Sequence, residues 1–160
     1  MKNFISLLGV GGSGKSTTLN NLRESCNGAK LKYKRKDGTA ICKIDDNVVF
    51  IQTWSPQEAG HGNMEEVLDL LKESIDYIEK IASICGITKF VIVMAFNSKP
   101  RNPELLLASR KYVEERGYSY AQIPKEKNKR KDDILQDVKE ILKGKEVVSV
   151  VAGMTSVEVV

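Results

Sequence analysis

The densest chemistry in this chain lies in the nine residues Gly9-Val10-Gly11-Gly12-Ser13-Gly14-Lys15-Ser16-Thr17, which have the spacing G-x-x-x-x-G-K-[ST]. Glycines at 9, 11, 12 and 14 allow a backbone tight enough to turn several N–H groups toward one anion. Lys15 adds a point charge, and a helix opening here adds the positive end of its dipole. This pattern suits a polyphosphate. The backbone of Gly11, Gly12, Ser13 and Gly14 would cradle it, and Lys15 would reach its β- and γ-phosphates. Thr17 would lie near the α- and β-phosphates, and the Ser16 hydroxyl would ligate Mg2+.

Such a loop works only if it leaves a buried strand and opens a helix. Phe4-Ile5-Ser6-Leu7-Leu8 supplies the apolar run before it, and a strand is predicted over about residues 3–8. A helix is predicted from Lys15 to Cys26, stopped by Asn27-Gly28. The chain resembles the P-loop NTPase superfamily on the strength of Gly9 to Thr17. That resemblance implies a nucleoside triphosphate with Mg2+, held at the carboxyl ends of the strands of an α/β sheet.

The remaining pattern fits such a sheet. Lys30–Lys36 reads as a strand, Asp37-Gly38 as a tight turn, and Thr39–Ile44 as the returning strand. Asp45-Asp46-Asn47 forms a second turn into the β-rich run Val48–Thr53. Residues 54–63 read as a polar loop. Asn63 then caps a helix, with Glu66 completing a capping box. Its apolar face is Met64, Val67, Leu68, Leu71, Ile75, Ile78, Ala82 and Cys85, and Gly86 ends it. Phe90–Phe96 is almost unbroken apolar sequence, as in a central strand covered on both faces. Asn102-Pro103 opens a helix that ends at Gly117, as cap and first helical residue. A strand from Tyr118 to Ile123 follows, then a helix from Asp132 or Asp133 to Gly144, and a strand-like Val147–Val151. The expected architecture is a three-layer α/β sandwich of P-loop NTPase type. Its sheet is mostly parallel, with an antiparallel edge hairpin.

Phosphoryl transfer usually needs a metal-side carboxylate near the loop. Lys43 to Gly60 resembles the Ras-like small GTPases, whose second hairpin strand runs into Trp or Leu and then Asp-Thr-Ala-Gly-Gln-Glu. Trp54 matches, but Ser55 stands at the aspartate position. The guanine-reading Asn-Lys-x-Asp does not follow a strand either: Phe90–Phe96 leads into Asn97-Ser98-Lys99-Pro100. ATP is therefore favoured over GTP. Glu58 is a candidate to activate water or serve the metal, and Gln57 could orient a water. His61, between two glycines, reads as a surface histidine, and Trp54 as packing.

Two basic segments stand out, residues 30–36 and 125–131. The first suits an edge strand whose lysines block edge-to-edge pairing. The second resembles in composition the basic lid of small P-loop kinases. Arg130 is its candidate for contacting the transferring phosphate, and Arg101 is another. Together the segments offer a docking face for nucleic acid or protein. The alternatives to an ATPase or phosphotransferase are thus a switch protein with degenerate motifs and a non-catalytic nucleotide-binding module.

Composition bounds these readings. At 160 residues with 41% hydrophobic content, the chain is expected to be one domain spanning 1–160 with a sizeable core. A net charge of +4 demands no polyanionic partner. Cys26, Cys42 and Cys85 are odd in number and widely spaced. They argue against a disulfide framework or a structural zinc site and read as small core residues in a reducing, cytoplasmic setting. No secretory leader or membrane span is expected.

Overall fold

Large and small apolar residues alternate along Phe90–Asn97: Phe90, Ile92, Met94 and Phe96 against Val91, Val93 and Ala95. A strand sends such sets to opposite faces, so both faces of this one demand a cover. The computed structural model describes residues 2–9, 15–25, 29–31, 39–60, 62–97, 103–125, 131–142, 150–151 and 154–155, and it shows both covers. The elements are β1 (Lys2–Gly9), α1 (Lys15–Ser25), β2 (Ala29–Leu31), β3 (Thr39–Ile44), β4 (Asn47–Gln52), α2 (Pro56–Ala59) and α3 (Met64–Ile84). They continue with β5 (Phe90–Asn97), α4 (Glu104–Glu115), β6 (Ser119–Pro124), α5 (Lys131–Leu142), β7 (Val150–Val151) and β8 (Met154–Thr155).

Six strands form one sheet in the order β2-β3-β4-β5-β1-β6, and β7 and β8 pair separately. The β4–β5, β5–β1 and β1–β6 pairs are parallel, while β2–β3 and β3–β4 are antiparallel. On one face Ile5, Leu7, Val49, Ile51, Val91, Val93 and Ile123 pack against Leu19 and Leu22 of α1 and Ile134 and Val138 of α5. On the other, Phe4, Leu8, Phe50, Ile92, Phe96 and Tyr120 pack against Leu71, Ile75 and Ile78 of α3 and Val113 of α4. Among the described residues, the rings of Phe4, Phe50, Phe90, Phe96, Tyr118 and Tyr120 fall on this second face. The mixed α/β architecture, the covered central strand and the antiparallel edge agree with expectation.

Local signals explain most boundaries. Asn63 accepts the Glu66 N–H at 3.1 Å and caps α3. The reciprocal half of the box is not formed, because the Asn63 N–H donates to the Gly60 carbonyl at 3.0 Å. Gly86 (φ 70°) closes α3 in a left-handed conformation that suits glycine. Pro103 has the φ −60° and ψ −23° of a first helical residue; Asn102, its expected cap, lies outside the described residues.

Two expectations need correction, and two more fall largely outside the described residues. Leu31 is the partner of Thr39, and the turn expected at Asp37-Gly38 lies outside the described residues. The strand expected over 30–36 is described only as Ala29–Leu31, and residues 32–38 lie outside the described residues. The loop expected at 54–63 contains the one-turn helix α2. Ser55 caps it, its Oγ accepting the Gln57 N–H at 3.2 Å, and Pro56 takes the first helical position. Of the cysteines expected in the core, Cys42 is buried but Cys85 is exposed at the end of α3, and Cys26 is outside the described residues.

At the amino end of the sheet, Arg116 bonds Asp76 at 2.6 Å and also Glu79, while Tyr118 donates to Glu79 at 2.7 Å. This ties α3 to the segment between α4 and β6. Burial raises the Tyr118 hydroxyl pKa, and its bond to Glu79 raises it further. For Arg116 burial acts to lower the pKa, and hydrogen bonds to Tyr112, Asp76 and Glu79 outweigh it.

The β3–β4 turn carries a testable strain. Asp45 (φ 48°) and Asp46 (φ 69°) both occupy the left-handed region, as a twisted two-residue hairpin turn requires. Asp46→Gly removes a steric cost of about 1–2 kcal/mol and adds an entropic one of about 0.5–1 kcal/mol. The expected outcome is a stabilisation of about 0.5 kcal/mol, read as a higher urea midpoint at unchanged slope. A lower midpoint would refute it.

Candidate functional site

Parallel pairing brings the carboxyl ends of β1, β5, β4 and β6 to one edge of the sheet. They end at Gly9, Asn97, Gln52 and Pro124. Gly9 and Asn97 are direct partners across the β1–β5 ladder. The Lys125 N–H donates to the Leu8 carbonyl at 2.5 Å, joining β6 to the end of β1. Lys15 opens α1 beside them. Its Nζ folds back to the Gly9 carbonyl at 3.0 Å, and the residue is only 6% exposed.

This edge is lined by buried polar residues: Thr18, Gln52, Thr53, Ser55, Gln57 and Lys125 join Lys15. Gln52 donates from Nε2 to the Trp54 carbonyl at 3.3 Å. The Asn97 N–H donates to Gln57 Oε1. Gln57 Nε2, on the same amide, is buried and has no acceptor among the described residues. Gly60 closes α2 against α3: a Cβ there would lie 2.8 Å from Val67 Cγ2 and 3.0 Å from the Val67 N, so only glycine fits.

The expected site residues fall as follows. Lys15, Ser16 and Thr17 form the first turn of α1. The Thr17 side chain is exposed. Gly11, Gly12, Ser13 and Gly14 lie outside the described residues, as do His61, Arg101 and Arg130. Glu58 lies in α2, one residue after Gln57. Trp54 is buried, consistent with packing.

Two findings change the expected site. β4 is not the neighbour of β1, because β5 lies between them. The residues after β4 therefore start two strand spacings, about 9–10 Å, from the Gly9 strand. They regain the distance through α2, which carries Gln57 back to the end of β5. Second, Lys125, grouped with a solvated basic cluster, is 3% exposed. It follows directly on β6 and belongs to the polar edge rather than to a surface patch. The sequence signal for α2 was the Ser55-Pro56 pair, a cap followed by a first-turn proline. No local signal marks the Gln57–Asn97 bond, which spans 40 positions.

Among the described residues no group of three or more His, Cys, Asp and Glu could hold a metal ion, and no helix is long and apolar enough to cross a membrane.

No protein-family model matches the chain, and no curated protein matches it. A solved structure described as the crystal structure of APE1195 is similar over 89% of this chain and 72% of its own, at 24% identity and a TM-score of 0.40.

Proposed function

We propose that this protein binds a nucleoside triphosphate with Mg2+, ATP in preference to GTP, and hydrolyses it or transfers its γ-phosphate. The observation that carries this reading is Lys15: it opens α1 at the carboxyl end of β1, 6% exposed, with its ammonium 3.0 Å from the Gly9 carbonyl. The motif Gly9 to Thr17 supplies the reason for a lysine there. In this assignment Gly11, Gly12, Ser13 and Gly14 cradle the phosphates and Lys15 neutralises the β/γ charge. Ser16 ligates Mg2+, and Thr17 flanks the α- and β-phosphates. Glu58 is the candidate for water activation and Arg130 for contacting the transferred phosphate.

A second reading, tight nucleotide retention with little turnover, is favoured by one observation. The side chains described at the ends of β4 and β5 include Gln52, Ser55 and Gln57, which are neutral and already engaged in local hydrogen bonds. Such a binding module would act through a protein or nucleic-acid partner at the basic segments 30–36 and 125–131, with Lys125 withdrawn from that surface.

Calorimetric titration with Mg·ATP and Mg·GTP, followed by phosphate release, separates these outcomes. ATP bound more tightly than GTP, with measurable turnover, supports the first reading. Binding without turnover selects the second, and GTP preference points to a switch. If neither nucleotide binds, both readings fall.

A further inference from the structure

We infer that Gln57 donates a hydrogen bond from Nε2 to the terminal phosphate of the bound nucleotide, and so makes the site discriminate triphosphate from diphosphate. The inference rests on the nucleotide reading above and assigns a specificity to the same site. Its first support is the orientation of the amide. A side-chain amide accepts only through its oxygen, so the bond from the Asn97 backbone assigns Oε1 to β5 and leaves Nε2 as the remaining donor.

The second support is that this donor has no partner among the described residues. Gln57 is 4% exposed, and Nε2 is buried with no acceptor among the described residues. Buried amide donors are nearly always paired, so an unpaired one marks a place for an external acceptor. The third is position. Asn97, which holds the amide, is the ladder partner of Gly9, and the Gly9 carbonyl receives the Lys15 ammonium. Adjacent strands are about 4.8 Å apart, so cation and amide donor flank the same strand ends. Ser55 braces the arrangement by capping the turn of helix that carries Gln57.

This geometry gives the amide a different role from orienting a water or ligating Mg2+. A metal ligand would need the amide oxygen, which is already engaged. A phosphate oxygen needs a donor, which is what Nε2 supplies. A diphosphate lacks the group that would reach it.

The test is Gln57→Glu, which keeps an oxygen to accept the Asn97 N–H and replaces the donor with a second, anionic oxygen. Affinities for Mg·ADP and for the Mg complex of the β,γ-imido analogue of ATP would be measured by calorimetry on the full chain. The expected result is a loss of about tenfold or more for the triphosphate analogue, with ADP affinity changed less than about twofold. Equal losses for both ligands, or none, would overturn the inference. If wild-type protein binds neither ligand, the nucleotide reading itself has failed, a distinct outcome. Wild-type protein labelled with 15N gives a readout independent of the variant's folding. The Gln57 side-chain amide signals should shift with the triphosphate analogue and not with ADP. Identical shifts with both would also overturn it.

Discussion

Lys15→Ala is expected to weaken Mg·ATP binding by roughly thirty-fold to several-thousand-fold while leaving the fold intact. The range follows from the cost of truncating one partner of a buried, hydrogen-bonded charge pair, about 2–5 kcal/mol. The upper part of the range applies if the phosphates are well shielded from water. Lys15 is enclosed at the start of α1, with its ammonium on the Gly9 carbonyl. Loss of the hydrogen bond to the Gly9 carbonyl should cost the fold about 1 kcal/mol. Calorimetric titration and thermal unfolding together check the prediction. Normal affinity in the variant would exclude the triphosphate reading of this loop. A collapse of the unfolding midpoint would mean that Lys15 is structural. Lys15→Arg should not rescue binding fully, because a planar fork does not replace a compact ammonium in a tight loop.

Phe4→Ala should produce the largest loss of stability, about 3–5 kcal/mol. Phe4 is fully buried at the middle of the aromatic face. Its ring stacks on Tyr120 at 6.0 Å, meets Tyr118 edge-on at 6.3 Å, and tilts against Phe96 at 6.2 Å. Neighbouring rings cannot collapse into the space without abandoning these geometries, so the cavity term adds to the lost burial. For a domain of this length each kcal/mol moves the midpoint by about 2–4 °C, so a fall on the order of 10 °C is expected. If the nucleotide reading holds, ligand should raise the midpoints of variant and wild type alike, by mass action. A fall below about 3 °C would show that the aromatic face repacks.

The elements that were legible from sequence are those with local causes. The alternation along Phe90–Phe96 called for a strand covered on both sides, and β5 is the centre of the sheet. Asn63 and Gly86 bounded α3 at its two ends, because a cap or a left-handed residue acts within a turn of itself. The helix α2 was also local, written in Ser55-Pro56, but its brevity hid it in a polar stretch. The register that sets Leu31 opposite Thr39 was not legible, because pairing across a sheet has no local signature.

The same division holds at the candidate site. By itself the sequence determined the motif Gly9 to Thr17, the strand before it and the helix after it, because these are contiguous and marked by local spacing. Only the tertiary structure decided that β5 separates β1 from β4, and that Gln57 reaches back to the Asn97 backbone. It also placed Lys125, read from sequence as part of the basic segment 125–131, in the polar edge. Strand order is set by how apolar faces are shared between helices on two sides of a sheet. That balance is summed over the whole core, and no window of sequence contains it.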